Sequence, residues 1–237
     1  MNVNEAIILA GGAGTRLKSV VADLPKPMAD VAGRPFLAYQ LDYLAAAGVG
    51  HVVLSVGYLC ERIMEWFGDN YQGIRISYAV EEEPLGTGGG IRESINLTTA
   101  DNLLVLNGDT WFPVCLRSLE EAHDNSRSDL TMALKLLSDF ERYGTVSFSG
   151  GRVTGFSAKG FCQQGYINGG VYLLDRAVAD HFPERRSFSF ESDFLEPMVQ
   201  RIDICPFVSD AYFIDIGIPE DYQRAQIELP GQTGDFR

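Results

Sequence analysis

The 237 residues carry a formal charge of −13, with 46% apolar and 22% charged side chains, the balance of a globular chain able to bury a full core as one domain. That acidity excludes nucleic acid and anionic membrane surfaces as partners, since both are bound through clustered Lys and Arg that the chain does not show. A small phosphorylated ligand held by a few placed cations remains open. No apolar run approaches the roughly 18 residues of a membrane helix and "MNVNEAIILAGG" has no basic leader, so a cytoplasmic location is expected; the scattered Cys60, Cys115, Cys162 and Cys205 read as reduced thiols rather than a zinc site or a disulfide framework.

The first apolar run, Ile7 to Ala10, predicts a buried strand that breaks into Gly11, Gly12 and Gly14. Pro35 then opens a helix whose apolar positions Leu37, Leu41, Leu44 and Ala45 keep helical spacing as far as Gly48. "HVVLSV" predicts a second buried strand. Leu59, Ile63, Trp66 and Phe67 mark one face of a helix ended by Gly68, and "IRISYAV" alternates as a strand. A helical stretch near "IRESI" precedes the continuous apolar strand "NLLVLN". Strand and helix alternate, as in a mainly parallel sheet covered on both faces, with ligands expected at the carboxyl ends of the strands. Beyond residue 128 the pattern changes to "DLTMALKLL", "GTVSFSG", "GRVTGFSA" and "YINGGVYLLD", successive strands joined by Gly-containing turns, predicting a β-rich annex laid over the sheet. A helix around Phe190 to Ile202, a strand "AYFIDI" and a last helix opened by Pro219 complete the expected three-layer, Rossmann-like α/β fold.

The glycine loop fits neither a Walker loop nor the dinucleotide fingerprint, whose third glycine is replaced by Leu17, and alone it is as readily structural as functional. The missing acidic ribose partner weighs against a nicotinamide enzyme. The loop is followed, however, by Arg16 and by "PKPM", in which Pro25 and Pro27 are expected to hold Lys26 in an extended segment. Two cations beside free backbone N–H groups suit a polyphosphate. Asp109 and Asp215 each follow an apolar run, "NLLVLN" and "AYFI", and are expected at the same sheet edge, where two carboxylates with phosphate oxygens and water make a Mg²⁺ site. Either aspartate alone reads equally well as a turn or a solvated strand end.

"GGxGTRL…PKPM" resembles the signature of the sugar-1-phosphate nucleotidyltransferases, and the resemblance covers essentially the whole chain through "EEEPLGTGGGI", "LNGD", "ERYGTVSF", "GFSAKG", "INGGVY", "FSFESD" and "IDIGIPEDY". It implies the nucleotide-diphospho-sugar transferase fold as a single domain, with a nucleotide-binding half to about residue 128 and a sugar-binding half carrying the second metal aspartate. It implies attack of a sugar 1-phosphate on the α-phosphorus of a nucleoside triphosphate, with Arg16, Lys26 and Asp109 catalytic. Leu9, Ala10, Gly11, Gly12, Gly14, Thr15, Glu81, Pro84, Gly86 and Thr87 join Arg16, Lys26 and Asp109 on the nucleotide. Gly108, Gly144, Lys159, Asn168, Gly169, Glu191 and Asp193 fall to the sugar phosphate, Lys159 without the Glu and Pro that flank it in relatives. Asp109 and Asp215 hold Mg²⁺.

A glutamate where the family's pyrimidine enzymes carry glutamine favours guanine, whose N1–H and 2-amino group are adjacent donors, although "EEE" leaves open whether Glu81, Glu82 or Glu83 is the reader. "PLGTGGGI", "GRPFLAYQLDYL" and "LSVGY" are most similar to the bacterial D-glycero-D-manno-heptose 1-phosphate guanylyltransferases. GTP and that sugar phosphate are therefore the expected substrates, for a surface polysaccharide such as capsule, lipopolysaccharide or S-layer glycan. A mannose or glucose 1-phosphate enzyme using another base, and a silent regulatory subunit, are the alternatives; the second is disfavoured because Arg16, Lys26, Asp109 and Asp215 are all present. The oligomeric state stays open, a homodimer among the options.

Overall fold

Alternation along the strands sorts side chains onto two cores, and this sorting organises the fold. A computed structural model describes residues 3–12 and 24–232. The strands β1 (Glu5–Leu9), β2 (His51–Val56), β3 (Ile74–Val80) and β4 (Asn102–Asn107) lie parallel in the order β4-β1-β2-β3. Ala6, Ile8, Val52, Leu54, Leu104 and Leu106 face one core with helix α1 (Phe36–Ala46), Ile63 and Phe67 of α2 (Cys60–Phe67), and Leu119 of α4 (Leu116–Ser126). Ile7, Val53, Leu103 and Val105 face the other, against α3 (Gly86–Ile95) and the phenylalanines of the Phe190–Leu195 turn. Both faces are buried, as continuous apolar strands require.

The β-rich half takes a more integrated form than an annex over the sheet. Strands β5 (Leu130–Phe140), β8 (Cys162–Asp175) and β9 (Ile204–Val208) extend the same eight-stranded sheet, in the order β9-β5-β8-β4, with β8 antiparallel to both its neighbours. The hairpin β6 (Val146–Ser149) and β7 (Arg152–Phe156) stands outside it. The last helix, α5 (Pro219–Glu228), starts at its proline as expected.

Two elements escape the apolar pattern. The inner face of α4 uses buried Glu120 and His123 beside Leu116 and Leu119; Glu120 accepts from the Val3 N–H at 2.9 Å and His123 Nδ1 lies 2.9 Å from Thr131 Oγ1. Polar groups satisfied inside the fold hide the helical period. Strand β9 contains Pro206 and sits at the sheet edge, where a missing donor is tolerated. "AYFIDI" forms only the short strand Ile214–Asp215.

Helix α3 also begins earlier than "IRESI", because the run "GTGGG" is helical. Each glycine costs a helix up to about 1 kcal/mol relative to alanine, so packing must require them. A Cβ on Gly88 would stand 2.1 Å from the Phe188 ring and one on Gly89 2.6 Å from the Arg186 carbonyl. The glycines let the segment 186–191 lie directly on the helix.

At the amino edge of the sheet, Glu5, His51 and Arg75 are register partners on β1, β2 and β3. Buried Glu5 pairs with His51 Nδ1 at 2.8 Å and accepts from the N–H groups of Thr99 and Ala100, both at 2.6 Å. Burial pushes its carboxyl up, but the His51 hydrogen bond, the two N–H donors and the His51 charge outweigh that, so Glu5 titrates below its ordinary 4.5. A depressed folded pKa contributes stability above the unfolded value that is lost as pH falls through the folded one. Glu5→Gln is therefore expected to cost about 1.5–3 kcal/mol at neutral pH and to flatten the loss of stability below pH 4.5. Denaturant melts across pH check both effects.

Candidate active site

Four parallel strands end around one pocket of about 640 Å³. Leu9, Gly11 and Gly12 reach it from β1, Ser55 and Gly57 from β2, Glu81 from β3, and Gly108 and Asp109 from β4. Pro84, Gly86 and Thr87 close it at the start of α3, and Lys26 enters from the side. Ala10 is fully buried beneath the wall, its N–H donating to the Ser55 carbonyl at 2.8 Å. The pocket occupies the crevice at the strand carboxyl ends where chain order reverses between β1 and β4, the usual ligand position in such sheets. Gly14, Thr15, Arg16 and Leu17 lie outside the described residues.

Lys26 occupies a single 3-10 turn, Lys26–Met28, rather than the extended segment expected. Pro25 is extended just before the turn and Pro27 fits within it, because a proline is compatible with a first helical turn. The ammonium pairs with Asp109 Oδ2 and lies 3.9 Å from Asp215 Oδ1. The short strand Thr110–Trp111 pairs with Ile214–Asp215, Thr110 opposite Asp215, and the Ile216 N–H donates to the Asp109 carbonyl at 3.0 Å. The two aspartates thus meet at one edge.

Burial and the neighbouring Asp109 push the Asp215 carboxyl upward against the pull of Lys26, the Gly217 N–H and Arg142. Two carboxylates driven together in this way fit a divalent cation. Among the described residues no group of three or more His, Cys, Asp or Glu could hold a metal ion, so an ion here would complete its shell with substrate oxygens and water.

Two supporting residues lie in "GRPFLAYQLDYL" and "ERYGTVSF", stretches that gave them no role of their own. Gln40, buried on α1, donates through Nε2 to the carbonyls of Asn107 at 2.8 Å and Thr110 at 2.9 Å, bracketing Asp109. Arg142 Nη2 lies 3.5 Å from Asp215 Oδ2 and its other nitrogen pairs with Asp221 on α5. Neither role was legible in the sequence, because a Gln or an Arg signals no function until tertiary structure supplies its partners.

Of the three glutamates, Glu81 and Glu82 line the pocket, and Glu81 is the more enclosed. Its Oε1 accepts from Ser55 Oγ at 2.7 Å and its Oε2 from the Leu85 N–H at 3.0 Å.

The remaining predicted residues divide. Thr87 Oγ1 donates to Glu191 Oε2 at 2.8 Å and accepts from the Phe190 N–H at 2.8 Å, tying the pocket to the second half of the chain. Tyr172, buried, donates to Glu191 Oε1 at 3.4 Å and pairs with Asn168 Nδ2 at 2.6 Å, so Asn168 and Glu191 share one network. Gly169 and Gly144 serve close approach: a Cβ there would stand 2.4 Å from the Phe112 ring and from the Ser157 carbonyl respectively. Asp193 accepts from the Ser189 N–H at 2.7 Å and pairs with Arg185 at 2.6 Å; its carboxyl is lowered chiefly by that N–H, against desolvation, with Arg185 adding to the lowering. Lys159 is exposed between β7 and β8 and is not part of the pocket wall.

The nucleotidyl transferase family matches residues 5–231, nearly the whole chain. The chain belongs to that family. Among nucleotidyl transferases it is 51% identical to the D-glycero-alpha-D-manno-heptose 1-phosphate guanylyltransferase of Aneurinibacillus thermoaerophilus, over 95% of this chain and 98% of that one. It is 45% identical to the enzyme of the same name from Campylobacter jejuni, over 92% and 96%. The crystal structure of HddC from Yersinia pseudotuberculosis complexed with GMP-PN superposes with a TM-score of 0.85 at 38% identity, covering 96% of this chain and all of the other.

For this nucleotidyl transferase, Lys26→Met is expected to raise the Asp215 pKa further, since the substitution removes a neighbouring positive charge and leaves Asp109 in place. Carboxyl ¹³C NMR titration reads the shift, and a fall would show that Lys26 is not the neutralising group.

Proposed function

We propose that the chain transfers a guanylyl group from GTP to D-glycero-D-manno-heptose 1-phosphate, giving GDP-heptose and pyrophosphate for a bacterial surface glycan. The observation that carries this reading is the likeness to heptose 1-phosphate guanylyltransferases over nearly the full length of both chains. The pocket at the strand ends, with a lysine between two aspartates, supports it.

In the proposed reaction a phosphate oxygen of the sugar 1-phosphate attacks the α-phosphorus of GTP, the new P–O bond forms in line with the breaking bond to the β-phosphate, and pyrophosphate leaves. Such transfer asks mainly for positioning and charge neutralisation. The backbone of Gly11 and Gly12, with Gly14, Thr15 and Arg16, receives the triphosphate. Lys26 leaves its carboxylate partners for the α-phosphate, where charge grows as the bond breaks. Asp109 and Asp215 would hold Mg²⁺, which when bound neutralises phosphate charge. Glu81 accepts the guanine N1–H and 2-amino donors, while Asn168, Glu191 and Lys159 serve the sugar phosphate, with Gly108, Gly144 and Gly169 giving the backbone room to approach.

Pyrophosphate release across GTP, ATP, CTP, UTP and dTTP, each with heptose, mannose and glucose 1-phosphates, tests the reading. The expected result is highest kcat/KM for GTP with the heptose phosphate; a preference for another pair overturns it. Asp109→Asn and Asp215→Asn are each expected to lower turnover by about 10²–10³-fold with circular dichroism unchanged. Lys26→Ala should depress kcat more than it raises the KM for GTP, because its charge meets one that develops in the transition state.

A further inference from the structure

Three glycines, Gly11, Gly57 and Gly90, border the Glu81 side chain. A Cβ on Gly11 would stand 2.8 Å from Glu81 Oε1, one on Gly90 3.1 Å from the same oxygen, and one on Gly57 3.6 Å from Glu81 Cβ. Glycine offers no side-chain contact, so these walls make room for the carboxylate without orienting it. Orientation comes from two donors, the Leu85 N–H on Oε2 and the Ser55 hydroxyl on Oε1. The first is backbone and present whatever the residue; the second is a choice of side chain.

Ser55 is 1% exposed near the end of β2. It lies between Leu54 and Val56, which face the α1 core, so its side chain points to the α3 side of the sheet. There it meets Gly90: a Cβ on that glycine would come within 2.6 Å of Ser55 Oγ. The third glycine of "GGG" therefore leaves the space that the Ser55–Glu81 bond occupies. The Ser55 carbonyl, through the Ala10 N–H, also fixes the chain just ahead of Gly11 and Gly12, so one residue touches both the base side and the phosphate side of the pocket.

We propose that Ser55 is a positioning residue for base selectivity, holding the plane of the Glu81 carboxylate so that the unused lone pairs of its two oxygens face the pocket together, with Gly90 as its steric complement. The ligand is a purine with two adjacent donors on its edge. Each carboxylate oxygen accepts two hydrogen bonds, and one on each is already taken inside the protein. Two remain, side by side, only while the plane is held. Without the hydroxyl the carboxylate turns about its last bond, a broad torsion with no strong preference, and the paired acceptors separate. This rests on the reading of Glu81 as the guanine acceptor.

The test is the ratio of kcat/KM for GTP over inosine triphosphate, which differs from GTP only by the 2-amino group. Ser55→Ala is expected to lower that ratio about three- to tenfold, less than the full worth of a hydrogen bond to a charged group because the Leu85 N–H still holds the other oxygen, with a melting temperature near that of the parent. Ser55→Cys, which keeps the size but donates weakly, is expected to fall between the two, and Gly90→Ala to lower the ratio with Ser55 intact. Glu81→Gln is measured beside them, and Ser55→Ala added to Glu81→Gln should lower the ratio no further, since both act through one carboxylate. If Glu81→Gln lowers the ratio and neither Ser55 variant does, Ser55 does not position the reader and the proposal fails alone. If Glu81→Gln also leaves the ratio unchanged, guanine is read elsewhere and both readings fail.

Discussion

Two carboxylates held face to face at the end of a sheet need a cation, and most of what surrounds Asp109 and Asp215 follows from that need. The strand that holds Asp215 is hydrogen-bonded to the one that follows Asp109, and the Ile216 N–H donates to the Asp109 carbonyl, so the two residues are held side by side. Lys26 stands against Asp109 and within reach of Asp215, and Arg142 takes the far side of Asp215 and ties it to α5. Gln40 clamps the backbone on either side of Asp109. On the proposed reading, a negative site preorganised in this way would exchange its lysine for a metal-bound triphosphate without rebuilding itself.

A second constraint is how closely α3 approaches its neighbours. Alanine at Gly88 or Gly89 would push the helix off the segment 186–191. That contact brings Thr87 to Glu191 and joins the pocket wall to the network of Asn168 and Tyr172. Helix propensity is surrendered along "GTGGG" in exchange for proximity between the two halves of the chain. A poor helix-forming run becomes a helix because its packing outweighs its intrinsic cost.

A similar economy of side chains surrounds Glu81. On the proposed reading, a glutamate that meets two guanine donors at once would need both room and orientation. Glycines border the carboxylate, and the Ser55 hydroxyl and the Leu85 N–H each donate to one of its oxygens.

From the sequence alone, the parallel half of the sheet and its helices were legible, because buried strands write themselves as continuous apolar runs, while the family was legible through the resemblance of its motifs. Lys26 beside a glycine run and Asp109 after an apolar one stood out by type and place, Glu81 only through that resemblance, and all three line the pocket. Helix α4, strand β9 and the helical "GTGGG" were not legible: one hides polar groups satisfied by distant partners, one carries a proline that only an edge tolerates, and one is helical against its own propensity. Gln40, Ser55, Arg142 and Tyr172 emerged only with the fold, and Asp193 turned to Arg185. A side chain's chemical type is local, whereas the partner that gives it work lies across the sheet, and only the packing of the two cores determines which residues meet.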